Sequence, residues 1–158
     1  MSTERILIGA AVPFTITLNA LGANAARQSN AVVLPTGASA LVDVGIYVQI
    51  SITAGAPTGS IATYIAGSLD GVHYDFPATN GGDALVTIAT ASLNARLAQG
   101  TKVNAQGAAI ACVTPGIAFL FGGNIPNAIV LIVQNLTGQA FDGANCSASY
   151  YPINYVNT

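Results

Sequence analysis

Residues 41–53, LVDVGIYVQISIT, alternate without a break. Val42, Val44, Ile46, Val48, Ile50 and Ile52 fall on one side, and Asp43, Gly45, Tyr47, Gln49, Ser51 and Thr53 on the other. Period two is the repeat of a pleated strand, and β-branched residues suit it. One apolar side and one mixed side mark an antiparallel strand between a core and either solvent or a neighbour. Such a strand needs a sheet around it.

The rest of the chain offers that sheet. AGAPTG (54–59) reads as a turn and SIATYIAGS (60–68) as the hairpin partner of the first strand. Further strands are expected at Phe14–Leu18, Ala31–Leu34, Ala84–Thr90, Thr101–Asn104, Ala108–Thr114, Ile117–Phe121, Ala128–Gln134 and Cys146–Tyr151. Turn residues separate them, among them Pro35-Thr-Gly37, Asp70-Gly71, Pro115-Gly116 and Asp142-Gly143. This pattern predicts an all-β fold, an antiparallel β-sandwich of jelly-roll type with about eight to ten short strands. One short helix is expected over Ser92–Gln99, with Ser92 as N-cap, Leu93 and Leu97 four apart, and Gly100 at the C-terminal end. The 158 residues fit one domain, 1–158, with no composition shift inside it. Residues 1–13 and 150–158 have no evident hairpin partner and are expected to be inter-subunit arms.

Charge is scarce. Ten side chains, four Lys or Arg and six Asp or Glu, make up 6% of the chain, where about a quarter is usual. Ser, Thr, Asn and Gln number 41, so neutral groups must form most of the wet surface. With 52% hydrophobic residues and a net charge of −2, disorder is excluded. Four scattered cations, Arg5, Arg27, Arg96 and Lys102, give no footprint for nucleic acid. The apolar run Ala128–Val133 is far short of the ~20 residues of a membrane span, so no membrane partner is expected. MSTERILIGAAVPF makes a poor signal peptide, and the chain is read as mature protein. Spacing leaves Cys112 and Cys146 open to one disulfide or two thiols, and the lack of an export signal favours thiols.

Catalysis finds little footing. Any nucleophilic triad must use the sole histidine, His73, and no nucleophile-elbow motif accompanies it. The chain is therefore not expected to be an enzyme. Asp70, Asp75 and Asp83 are close in sequence, but aspartates in such turns usually serve the backbone, and their spacing does not match a calcium loop. No metal or cofactor is expected. The sequons Asn135-Leu-Thr137 and Asn145-Cys-Ser147 read as chance in an asparagine-rich chain. Asp70, His73, Tyr74 and Asp75 remain as loop candidates for ligand contact. Phe14, Tyr150, Tyr151 and Tyr155 are candidates for a subunit interface, where tyrosine offers area and a polar tip with few rotors. A neutral surface avoids desolvating charge on assembly, so a homo-oligomer is expected.

Ser68, Asp70, Gly71 and Tyr74 in IAGSLDGVHYD (65–75) form an S-x-D-G-x-x-Y turn. Together with the charge-poor Ala, Thr, Gly and Asn composition, it resembles the jelly-roll structural proteins of tailed bacteriophages, capsid decoration (cement) proteins above all. The resemblance implies a trimer that bridges neighbouring capsomers of the major capsid protein, a place on the virion surface after synthesis in the host cytoplasm, and no catalytic residues. The alternative is a receptor- or carbohydrate-binding sandwich of a tail or fibre, or another virion shell component.

Overall fold

A computed structural model of the chain describes residues 4–35, 41–75, 82–88 and 96–157. Eleven strands run through them: β1 (Glu4–Ile8), β2 (Val12–Pro13), β3 (Ala26–Gln28), β4 (Val32–Val33), β5 (Asp43–Ile52), β6 (Gly59–Ser68), β7 (Ala84–Val86), β8 (Leu97–Val103), β9 (Gly107–Thr114), β10 (Ala128–Leu136) and β11 (Ser147–Asn157). They form two antiparallel sheets. The first has the order β1-β11-β5-β9, with β2 also on β11. The second has the order β7-β3-β10-β6-β8, with β4 also on β10. Counting β1 with β2, and β3 with β4, as interrupted strands leaves eight strands plus β7. The chain then changes sheet at every connection except the one from β6 to β8. That is the jelly-roll path.

The alternating segment does what its period demands. Val44, Ile46, Val48, Ile50 and Ile52 of β5 are buried between the sheets, against Ile61 and Ile65 of β6 and Ile129, Leu131 and Val133 of β10. At about 1.5–3 kcal/mol for each large side chain removed from water, this layer is the main source of stability.

The central strands of the second sheet, β6 and β10, are buried on both faces. Ala62, Tyr64 and Ala66 of β6, with Val130 and Ile132 of β10, form a separate cluster on its outer side, covered by Tyr74, Val86 and Ile88. All three come from the segment between β6 and β8, in which β7 pairs with β3 at the far edge of the sheet.

Several expectations are corrected. Residues 54–58 are not a hairpin turn. β5 pairs with β11 and β9, and β6 pairs with β10 and β8, so this segment arches from one sheet to the other. Two strands that bury apolar faces against each other across a core cannot also be hydrogen-bonded neighbours. Phe14–Leu18 is not a strand either. It crosses between the sheets, burying Phe14 and Leu18 as core plugs while Phe14 N–H donates to Ala148 O. Ile117–Phe121 gives a 3-10 turn at Ala118–Phe121, because Asp43 Oδ1 accepts the Ile117 and Ala118 N–H groups at 2.7 and 2.9 Å. Of the expected helix Ser92–Gln99, residues 92–95 lie outside the described residues. Leu97 and Gln99 belong to β8, pairing with Tyr64 and Thr63 across a bulge. The two ends, expected to be arms, pair with each other. Glu4–Ile8 lies antiparallel to Ile153–Asn157.

Candidate functional site

The loop candidates gather at one end of the second sheet. β6 stops at Ser68 because the next residues satisfy their own backbone. Asp70 Oδ1 accepts the N–H groups of Val72 (2.9 Å) and His73 (2.8 Å), and Ser68 Oγ accepts Gly71 N–H (2.9 Å) while donating to Asp70. Gly71 takes φ +76°, a left-handed conformation that closes the turn. The S-x-D-G part of the motif is thus a self-contained turn. Tyr74 then covers the outer cluster of the second sheet.

Asp75 is drawn in beside this turn. Its Oδ1 accepts Gly67 N–H at 2.9 Å, and its own N–H donates to Gly67 O. Arg96 donates through Nε and Nη2 to Asp75 Oδ2, each at 2.6 Å, and through Nη1 to Leu120 O. Its guanidinium lies 4.5 Å from the centroid of Phe121. Gly67 permits this packing, since a Cβ there would stand 2.5 Å from the Phe121 ring. These groups wall an open cleft of about 900 Å³ between the 67–75 turn and residues 120–126.

His73 Nδ1 is 2.6 Å from Asp70 Oδ2, and that hydrogen bond raises the imidazole pKa while holding the Asp70 carboxyl well below the usual range. A histidine–carboxylate pair is two parts of a triad, but the Ser68 hydroxyl is buried and engaged by Asp70 and Gly71. Asp83 does not join Asp70 and Asp75. It accepts from Arg27 Nε and Thr17 Oγ1, both at 2.5 Å. Burial pushes its pKa up, and these hydrogen bonds outweigh that and lower it.

The interface candidates separate into two sets. Phe14 and Tyr150 point inward, ring centroids 5.4 Å apart, with Phe14 buried in the core. Tyr151 and Tyr155 lie on the opposite, outer side of the first sheet. The register carries that side across four strands. Tyr155 stands beside Ile6, Ile153 beside Ile8, Tyr151 beside Gly45, and Tyr47 beside Val113. Ile6, Ile8, Val113 and Tyr155 are each at least half exposed. Gly45, lacking a side chain, leaves a hollow of about 310 Å³ lined by Ile8, Tyr47, Val113, Pro115, Tyr151 and Ile153. The i, i+2 spacing of Tyr151, Ile153 and Tyr155 is a strand signal visible in the sequence. Only the pairing adds Ile6, Ile8, Tyr47 and Val113 to it.

Compared with family models, with characterised proteins and with solved structures, the chain matches none.

Proposed function

We propose that this chain is a structural protein of a virion shell, most specifically a decoration protein that stabilises the head of a tailed bacteriophage by bridging neighbouring capsomers. The observation that carries the reading is where the charge goes. All five aspartates are engaged inside the chain: Asp43 and Asp142 hold backbone N–H groups, Asp70 holds its own turn, and Asp75 and Asp83 hold Arg96 and Arg27. The charge left on the described surface is sparse, Arg5, Lys102 and the Asp70–His73 pair, and the outer face of the first sheet is apolar around Ile6, Ile8, Val113 and Tyr155. Net charge and charged surface are what keep a free domain apart from its copies. A chain with so little of either is suited to being covered.

The jelly roll is a fold of capsid and lectin domains, and the fold by itself does not choose between them. The depleted charge favours the shell, as a homotrimer on the capsid surface. The role is mechanical: a partner that binds only the assembled shell shifts the equilibrium toward assembly. The test is to add purified protein to heads that lack it and measure occupancy and the temperature at which the shell opens. Saturable binding with a raised opening temperature supports the reading, and no binding overturns it.

The cleft beside Asp75 and Arg96 favours a second reading, a receptor- or carbohydrate-binding module of a tail or fibre. Saturable glycan binding that is lost in Tyr74→Ala would select it.

A further inference from the structure

The two sheets treat their outer faces differently. The outer side of the second sheet is apolar and is covered by Tyr74, Val86 and Ile88 of the same chain. The outer side of the first sheet is apolar around Ile6, Ile8, Val113 and Tyr155, which stand exposed, and turns polar beyond Tyr47 at Gln49, Ser147 and Ser149. We propose that a second copy of this chain covers that face. This rests on the assembly role proposed above and names the surface and the partner.

Three observations commit the face to a copy of itself. It holds both halves of a fit, a hollow over Gly45 and, beside it, a ridge made by Ile6 and Tyr155, which are cross-strand neighbours. Such a face lets the ridge of one copy enter the hollow of another. Its middle offers no charge to a charged partner. Asp43, in register with Ile153, turns its Oδ1 to the N–H groups of Val44, Ile117 and Ala118. A partner's charges would lose water there without compensation, whereas this chain brings a neutral face. The size is also sufficient. The four strands, of 5, 11, 10 and 8 residues, lie about 4.8 Å apart and present roughly 540 Å² per copy, or roughly 1,100 Å² in all. Specific interfaces begin at about 1,000 Å².

The experiment is the solution mass of the full chain over a dilution series, for the wild type and four variants. Val113→Glu and Tyr155→Glu put charge on the exposed face. Gly45→Val fills the hollow with a residue that favours strands, and an added Cβ meets only ordinary contacts at 3.4 Å or more. Leu85→Glu is the control on the other sheet, where Leu85 is exposed. A wild-type oligomer is expected, with the dissociation constant raised at least about tenfold in the three face variants and unchanged in the control. A mass of two chains means face against face, and a mass of three means ridge into hollow around a ring. Both support the proposal. Unchanged oligomers in all three face variants, with circular dichroism showing them folded, overturn it while leaving assembly through another surface intact. A wild type monomeric at its highest soluble concentration also overturns it, and head binding then decides the assembly role separately.

Discussion

His73 Nδ1 lies 2.6 Å from Asp70 Oδ2, three residues away on the rim of the cleft, and each group moves the titration of the other. The Asp70 carboxyl is held low first by the His73 ring, then by the N–H groups of His73 and Val72 and the Ser68 hydroxyl. His73 is raised by the same hydrogen bond and by the carboxylate charge. A raised histidine stabilises the fold fully below its unfolded pKa and loses that contribution as pH climbs through its folded one. A lowered aspartate contributes above its unfolded pKa of about 3.9 and loses the contribution as pH falls through its folded one. The turn should therefore be firmest between about pH 4 and about 6.5 and loosen as pH rises through the His73 midpoint. NMR titration should place that midpoint above 6.5. In Asp70→Asn it should return to the ordinary value, and an unmoved midpoint would show that the pair does not form.

Asn135 is fully buried between the end of β10 and the loops around it. Its Nδ2 donates to the carbonyls of Leu21, Gly22 and Gln139, and its Oδ1 accepts from the N–H and hydroxyl of Thr137. The sequon there is a structural clasp, closed to glycosylation in the folded chain. Asn135→Ala should lower unfolding free energy by about 3 kcal/mol, since buried partners lose their bonds. Urea denaturation measures it, and a loss under about 0.5 kcal/mol would contradict the clasp.

Asp43 holds the Val44, Ile117 and Ala118 N–H groups with one oxygen. Asp43→Ala should destabilise by about 2–4 kcal/mol, and Asp43→Asn by clearly less, because an amide oxygen still accepts. Equal losses in the two variants would show that something other than these bonds is at stake. Gly116 is tied to the same arrangement, since a Cβ there would stand 2.0 Å from Asp43 Oδ2.

Both cysteines are free, Cys112 buried and Cys146 partly so, and burial raises both thiol pKa values. In a thiol-reagent assay at neutral pH, Cys146 should react slowly and Cys112 only on unfolding. Rapid reaction of two thiols in the native protein would be inconsistent with a closed core around Cys112.

The reach of the sequence differs from element to element. The alternation of β5 determined by itself which residues enter the core, because a period of two leaves a pleated strand one way to hide Val44, Ile46, Val48, Ile50 and Ile52. Turn chemistry likewise marked the end of β6, since Ser68, Asp70 and Gly71 bond only to near neighbours. The candidates Asp70, His73, Tyr74 and Asp75 were legible as a loop for the same reason. Partners distant in the chain were not. That β5 and β6 lie in different sheets, that Phe14 turns inward while Tyr155 turns outward, and that Arg96 completes the cleft all depend on contacts between distant segments. Asp43 reaches across 74 residues to cap the Ala118 turn. Local pattern records which side of a strand is apolar. Whether that side meets a core, a covering loop or a second molecule is decided when the sheets close. Among the described residues one outer face has a cover from its own sequence, and Ile6, Ile8, Val113 and Tyr155 on the other stand exposed.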